Sequence, residues 1–206
     1  MKFARSSFLV PVFATLVVAQ LSAVPIVEEI APGSKQCTDA SNKECRTAEQ
    51  AAPFIASGMT RYGIYSVNEM AAVISLMAFE SVDFKYKTNQ VPGRPGQGTA
   101  NMQMAAYNLK YAKSIDKVKG QVADINSVDG LSDDELNRIR SLVTPDEYNF
   151  ASGPWFLTTQ CEDSVRQELR ANVDQGFAAY MGCVGVEVSA ERTAYLDRAK
   201  KAFGIQ

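Results

Sequence analysis

Histidine is absent from this sequence of 206 residues. The chain therefore cannot build Ser-His-Asp or Cys-His catalysis, and it lacks the commonest zinc ligand. A surplus of basic charge is also missing, because 21 Lys and Arg stand against 23 Asp and Glu. This balance argues against nucleic acid as a partner. With 46% hydrophobic residues, the chain has enough apolar side chains for the core of a single domain, and we expect a monomer.

Apolar runs are scarce beyond the N-terminus. There, Lys2 and Arg5 precede an apolar run over residues 8–19, and the small pair Ser22-Ala23 follows. This layout is typical of a secretory signal peptide, and the run is too short for a spanning helix. We expect a signal peptide over residues 1–23, a secreted, extracellular product and no membrane anchor.

Cysteine occurs four times. In a secreted protein these residues are expected to form disulfides, for which three pairings exist. Closure of local loops favours Cys37–Cys45 and Cys161–Cys183 over the other two. Neither pair has C-x-x-C spacing and no histidine is present, so we expect no metal site and no cofactor.

The domain organisation follows from changes in pattern along the chain. Residues 24–46 are polar and contain prolines, which predicts an irregular N-terminal arm. Residues 47–206 are expected to form a single domain. Within it, Ser66 and Glu69 form a capping box at the start of a helix from Val67 to about Phe79. This segment is apolar nearly all round, which predicts a helix in the centre of the domain.

The segment after this helix carries a different pattern. Phe84, Tyr86 and Thr88 alternate with Lys85 and Lys87, as in a short strand. Residues 89–99 are rich in glycine and proline, which predicts turns. Helical spacing resumes from Met102, and one long helix is expected over residues 162–181. The predicted fold class is α+β, mostly helical, with a small β-hairpin region beside the central buried helix.

Glu80 is the leading candidate for a catalytic residue. It follows the central helix at its C-terminus, where the helix dipole disfavours a negative charge. Apolar neighbours in sequence would add partial desolvation. Both effects favour the protonated carboxylic acid, which is the form that donates a proton to a glycosidic oxygen.

The residues around Glu80 resemble a known signature. Glu80-Ser81, followed by Phe84, is similar to the Glu-Ser-x-x-Phe motif of goose-type lysozymes and soluble lytic transglycosylases, with one extra residue. Met102-Gln103 resembles the end of their Gly-Leu-Met-Gln hairpin, although Asn101 departs from it. The chain also looks like secreted, lysozyme-like fungal proteins. The resemblance implies a lysozyme-like fold, Glu80 as the catalytic acid and a hairpin that lines a substrate groove.

The remaining candidates are weaker. Asp83 is the nearest second carboxylate and a candidate base, although the resemblance implies that a distant group or the substrate's own acetamido group takes this role. The candidate substrate-binding residues are amides that hydrogen-bond sugar groups and aromatic rings that stack on them. They are Gln103, Asn101, Tyr86, Tyr111 and Trp155.

These observations lead to one functional hypothesis and one alternative. The first is a secreted glycoside hydrolase that cleaves β-1,4 bonds of an N-acetylated cell-wall polysaccharide, peptidoglycan or a chitin-type polymer. Inverting, retaining and lytic mechanisms all remain open. The alternative is a non-catalytic secreted glycan-binding or effector protein with the same lysozyme-like fold.

Overall fold

A computed structural model describes residues 23–206. The predicted signal peptide, residues 1–23, lies outside the described residues except for Ala23. In the described chain, α-helices are joined by loops and by two short 3₁₀ segments, Pro32–Lys35 and Lys119–Val122. The helices are α1 (residues 23–30), α2 (Ala48–Arg61), α3 (Val67–Glu80), α4 (Ala105–Ser114), α5 (Asp133–Val143), α6 (Asp146–Asn149), α7 (Ser152–Thr159), α8 (Asp163–Ala171), α9 (Val173–Val184) and α10 (Ala190–Phe203).

The predicted α+β class is wrong, because residues 23–206 form helices and loops and contain no strand. The segment expected to be a hairpin has only two isolated antiparallel bridges, Thr88 with Gly98 and Gly98 with Gln103. Backbone conformation explains the difference. Phe84 and Met102 both have positive φ, at 64° and 44°, which interrupts an extended strand at each end of the segment. The prolines between them supply no amide donors for a ladder.

The helix α3 lies at the centre of the domain, as its composition predicts. Its side chains from Ala71 to Ala78 are buried, and it packs against α10, α8, α7 and α9. Its N-terminus differs from the prediction, because Ser66 makes no side-chain capping bond. The carboxylate of Glu69 instead accepts hydrogen bonds from Arg166, at 2.7 Å, and Arg170, at 3.2 Å. A buried charge requires such partners, which explains why Glu69 is not free to form the capping box.

The apolar core has two parts. The first surrounds α3 and includes residues of α1, α2, α8, α9 and α10. The second lies between α4, α5 and α7, where the Tyr111 and Trp155 rings pack with centroids 4.7 Å apart. Glu80 is therefore held on α3 between two packed units.

The N-terminal arm is more ordered than its composition suggests. Residues 23–30 are helical, and Val27 and Ile30 are buried in the core around α3. The disulfide Cys37–Cys45 closes a short loop in the arm, and Cys161–Cys183 joins the start of the α8 region to the end of α9. Both bridges have the pairing that local loop closure favours. Among residues 23–206, no helix combines the length and the apolar content needed to cross a membrane.

Candidate functional site

A cleft with a cavity volume of about 360 Å³ opens beside the C-terminal end of α3. We call it the Glu80 cleft. It is formed by the end of α3, the loop between α3 and α4, and the segment after α9. Its lining residues are Glu80, Arg94, Gln97, Asn101, Met102, Gln103, Met104, Tyr107, Phe156, Val184, Gly185 and Val186.

The carboxylate of Glu80 is paired with a residue of α10. Its Oε1 accepts a hydrogen bond from Arg192 Nη2 at 2.8 Å, and about a fifth of each side chain is exposed. The Arg192 guanidinium also lies over the Phe79 ring, 4.6 Å from its centroid. This pairing leaves Glu80 Oε2 without a protein donor among the described residues.

A buried network fixes the orientation of the Gln103 amide. The Nδ2 of Asn108 donates to the carbonyl oxygens of Gly96, at 2.7 Å, and Gln103, at 3.2 Å. Its Oδ1 therefore faces the Gln103 side chain and accepts a hydrogen bond from Gln103 Nε2 at 2.8 Å. The Gln103 side-chain nitrogen therefore already donates to Asn108. Its Oε1 is buried and has no donor in the structure.

Two further amide oxygens of the cleft share this property. Gln97 donates from Nε2 to the Met102 carbonyl at 2.9 Å, which leaves its Oε1 unpaired and buried. Asn101 Oδ1 is likewise buried without a donor, and the residue is only 4% exposed. Buried acceptors without partners are rare in folded proteins. The three residues line the cleft, but these oxygens themselves are buried behind its surface.

The other walls of the cleft are apolar. The rings of Tyr107 and Phe156 meet edge to face with centroids 4.8 Å apart. Met104 is 44% exposed at the rim, where its sulfur lies 3.9 Å from the Arg94 guanidinium. The cleft thus combines the Glu80 carboxylate and amide side chains with flat or flexible apolar side chains.

Of the residues singled out in the sequence, the structure brings Glu80, Asn101 and Gln103 together in the cleft. Asp83 does not line it. Asp83 Oδ2 accepts a hydrogen bond from Gly33 N, and Oδ1 accepts one from Tyr195 OH, both at 2.8 Å. Burial, together with this contact to Asp83, raises the pKa of Tyr195 to about 12. Asp83 therefore ties the N-terminal arm to α10 and is not the catalytic base that the sequence suggests.

The aromatic candidates also lie elsewhere. Tyr111 is fully buried, and its hydroxyl donates to the Tyr148 carbonyl at 3.0 Å; burial raises its pKa well above the ordinary value. Trp155 is 3% exposed and packs against Tyr111 and Phe156, so it is a core residue and not the wall of a groove. Tyr86 is half-buried outside the cleft.

Three polar residues of this site were not predicted as site residues from the sequence. Arg192 is separated from Glu80 by 112 residues, so no local pattern links them. Gln97 and Arg94 lie in the glycine- and proline-rich segment, where turn residues dominate the signal. Their closeness in sequence to Gln103 is the signal that could have identified them.

A metal centre finds no support in the described chain. Within residues 23–206, no group of three or more His, Cys, Asp or Glu side chains could hold an ion. The sequence contains no histidine, and the four cysteines are paired in disulfides.

Comparison with known proteins gives one relevant match. The chain is 57% identical over 157 residues to a bifunctional dioxygenase–epoxy alcohol synthase of Fusarium oxysporum (strain Fo5176). The match covers 76% of this chain and 12% of that protein, so the chain spans about an eighth of the relative's length. No family model and no solved structure matches the chain.

The matched segment includes the core of the site. A match of 157 residues leaves 49 of the 206 outside it, so residues 50–157 belong to it wherever it begins. This range contains α3 with Glu80 and the loop with Asn101 and Gln103. Most of the residues that line the cleft therefore lie within the matched segment.

This finding corrects the functional predictions. The relative's name describes oxidative chemistry, whereas the sequence patterns suggested the lysozyme-like superfamily and a glycoside hydrolase. The predicted family, the predicted hydrolase activity and the alternative of a glycan-binding protein with a lysozyme-like fold are therefore wrong. The motif around Glu80 is short, and a few shared residue types at roughly the right spacing carry little weight against a match of 157 residues.

Proposed function

We propose that this chain is a ligand-binding module whose Glu80 cleft takes a neutral molecule with an apolar part and a hydroxyl group. The observation that carries the proposal is a cleft of about 360 Å³ whose lining combines the Glu80 carboxylate, amide side chains and apolar side chains. The Oε2 of Glu80 has no donor among the described residues and is the acceptor for the ligand's hydroxyl group.

Charge favours a neutral ligand. Arg192 already neutralises Glu80, so the cleft has no surplus negative charge that would hold a cation. Among the described residues, the only other charged side chain that lines it is Arg94, which is positive and would repel a cation further. The Glu80 carboxylate in turn disfavours an anion, because Oε2 presents lone pairs to it. Neutral hydroxyl and amide groups suit both conditions.

The relative's name does not transfer to this chain as an activity. Enzymes that react with O₂ use haem, flavin, copper or non-haem iron. Proteins hold the metals among these cofactors mainly with His, Cys and carboxylate ligands. The described residues offer no such ligand set, as shown above, so they do not fit a metal centre. Because the match covers only 12% of the relative, the proposed role of this chain is binding.

Two sources could supply a ligand of this chemistry. An N-acetylated polysaccharide, the partner expected from the sequence, carries several hydroxyl groups and an amide N–H on each ring. An epoxy alcohol, the compound in the relative's name, carries one hydroxyl group beside an epoxide. We propose the second, because its hydroxyl group can donate to Glu80 Oε2 while its carbon chain contacts Met104, Tyr107 and Phe156.

Isothermal titration tests the proposal. Tetra-N-acetylchitotetraose is one ligand, and a ten-carbon 2,3-epoxy alcohol is the other. We expect Asn101→Ala to weaken binding about tenfold, since one neutral hydrogen bond contributes about 1.4 kcal/mol. Asn149→Ala is the matched control, because Asn149 Oδ1 is also buried without a donor but lies outside the cleft.

The outcome discriminates between ligands and against the proposal. Binding of the saccharide alone identifies a sugar ligand, and binding of the epoxy alcohol alone identifies the relative's product. Equal affinities of wild type, Asn101→Ala and Asn149→Ala for a bound ligand contradict the Glu80 cleft as its site. Absence of binding to both ligands contradicts the proposed ligand class.

We also propose that the mature protein is exported and monomeric. The support for export is the N-terminal apolar run after Lys2 and Arg5, together with two disulfides, which persist in oxidising compartments. Detection of the protein in culture medium, shortened at its N-terminus, tests export. Retention of the full-length chain inside the cell would contradict it.

A further inference from the structure

A second pocket, unrelated to the Glu80 cleft, lies at the other end of α3. Its cavity volume is about 250 Å³. Its walls come from α1, α2, the first turns of α3 and the end of α10. We call it the Ile55 pocket, after the residue of α2 at its floor. It shares no lining residue with the Glu80 cleft.

The lining of the Ile55 pocket is apolar throughout its depth. Ile55, Met59, Ile64 and Ile74 are each at most 4% exposed, so they form a buried floor. Within residues 23–206, no charged side chain lines the pocket. The polar groups are those of Thr60 and Tyr65, and both residues are exposed, which places them at the mouth.

The size and the lining of this pocket distinguish it from an ordinary packing defect. Protein interiors are packed as densely as organic crystals, and few voids exceed the size of a water molecule. An enclosed apolar cavity of about 150 Å³ binds benzene, and the Ile55 pocket is larger, although it is open to solvent at its mouth. Its buried apolar floor offers water no side-chain hydrogen-bond partners, so an apolar group displaces water from it favourably.

We propose that the Ile55 pocket binds one small neutral apolar molecule, or the end of a single alkyl chain. The ligand's apolar part contacts Ile55, Met59 and Ile74, and a hydroxyl group at its other end reaches the mouth beside Thr60 and Tyr65. The absence of lining charge selects against carboxylate or ammonium groups within the pocket, since burying an unpaired charge is strongly unfavourable.

Fluorescence of N-phenyl-1-naphthylamine, a neutral apolar dye, tests this site in the whole chain. We expect saturable binding of one dye per chain and displacement by decanol, but no displacement by tetra-N-acetylchitotetraose. Ala56→Trp places a large ring at the mouth from an exposed position of α2, and Ala52→Leu fills the floor. Each is expected to weaken dye binding at least tenfold.

Ser57→Trp is the matched control, because Ser57 is exposed on the same helix but does not line the pocket. It should bind the dye as the wild type does. Absence of saturable binding to the wild type overturns the proposal. Equal binding by wild type, Ala56→Trp and Ser57→Trp also overturns it, since the dye would then occupy another surface.

Discussion

The Arg192 guanidinium on α10 is paired with Glu80 at the end of α3. Its Nη2 lies 2.8 Å from Glu80 Oε1, and its Cζ lies 4.6 Å from the centroid of the Phe79 ring. One side chain of α10 thus bonds to the last residue of α3 and covers the residue before it. Both partners are about four-fifths buried, so solvent screens their attraction only in part. The pair both locks α10 onto α3 and sets the charge in the Glu80 cleft.

We expect Arg192→Met to lower the free energy of unfolding by about 1–3 kcal/mol, because it leaves a partly buried carboxylate unpaired. Adding Glu80→Gln should recover at least about 0.5 kcal/mol of that loss, since the unpaired charge is then removed. Urea unfolding of the two single variants and the double variant measures this coupling. Strictly additive effects would show that the two side chains do not stabilise each other.

The Asp146 carboxylate joins α6 to the N-terminal arm and to the loop between α3 and α4, which we call the cleft loop. It accepts hydrogen bonds from Arg46 Nε, at 2.7 Å, and from Lys87 Nζ. Burial acts to raise its pKa, but the hydrogen bonds and charges of Lys87 and Arg46 outweigh burial and hold the pKa below its ordinary value near 3.8. A pKa lowered on folding stabilises the protein above the ordinary value, and this contribution is lost as the pH falls through the folded value.

We therefore expect Asp146→Asn to lower the free energy of unfolding at pH 7 by about 1–3 kcal/mol. The loss relative to wild type should shrink as the pH falls from 5 to 3. Urea unfolding across this range measures it, with the exposed Asp124→Asn as the control. A difference between wild type and Asp146→Asn that stays constant with pH would refute the role of this carboxylate.

The disulfide Cys161–Cys183 ends one residue before Val184, which lines the Glu80 cleft. Replacing both cysteines by alanine should cost about 2–4 kcal/mol of stability and weaken ligand binding, because the segment after α9 loses its anchor. Replacing Cys37 and Cys45 should cost less, since that loop is shorter, and should leave binding unchanged. Thermal unfolding and ligand titration of both double variants compare them. Equal loss of affinity in the two would exclude a local effect on the cleft.

Gly98 lies where two parts of the cleft loop, near Lys87 and near Gln103, come into contact. Its amide donates to the Gln103 carbonyl at 3.1 Å, and a Cβ atom there would collide with the Lys87 carbonyl and lie 2.7 Å from Arg140 Cδ. Gly98→Ala should cost about 1–3 kcal/mol and weaken ligand binding, because the loop must shift Gln97 and Gln103. Gly120→Ala is the control, since a Cβ atom meets nothing within 4 Å there. Similar effects of the two substitutions on stability and binding would contradict this account.

Some elements followed directly from the sequence. The helix α3 runs from Val67 to Glu80, close to the predicted Val67 to about Phe79, because its apolar composition and its position in the core agree. The helix expected over residues 162–181 is instead two helices, α8 and α9. Asn172 caps α9 by accepting a hydrogen bond from Gln175 N at 3.0 Å, and Gly176 lets α9 approach the backbone at Leu169. Tertiary packing of this kind has no local periodic signal.

The site shows the same division. Glu80, Asn101 and Gln103 lie within one short segment that is rich in glycine and proline, so the sequence could single them out together. The structure places all three at the same cleft. Asp83 was misassigned because its φ of 57° lies in the left-handed region, which turns its carboxylate toward Gly33 and Tyr195. Non-glycine residues rarely adopt this conformation, and the sequence around Asp83 gives no sign of it.

The central claim is that the Glu80 cleft binds a neutral ligand with an apolar part and a hydroxyl group. Titration of ¹⁵N-labelled protein with the ten-carbon 2,3-epoxy alcohol, followed through the side-chain amide resonances, tests it most directly. We expect saturable shifts of the Gln97, Asn101 and Gln103 amides and an unchanged Asn149 amide. Saturable shifts confined to other residues, or no shift at any ligand concentration, would contradict the claim.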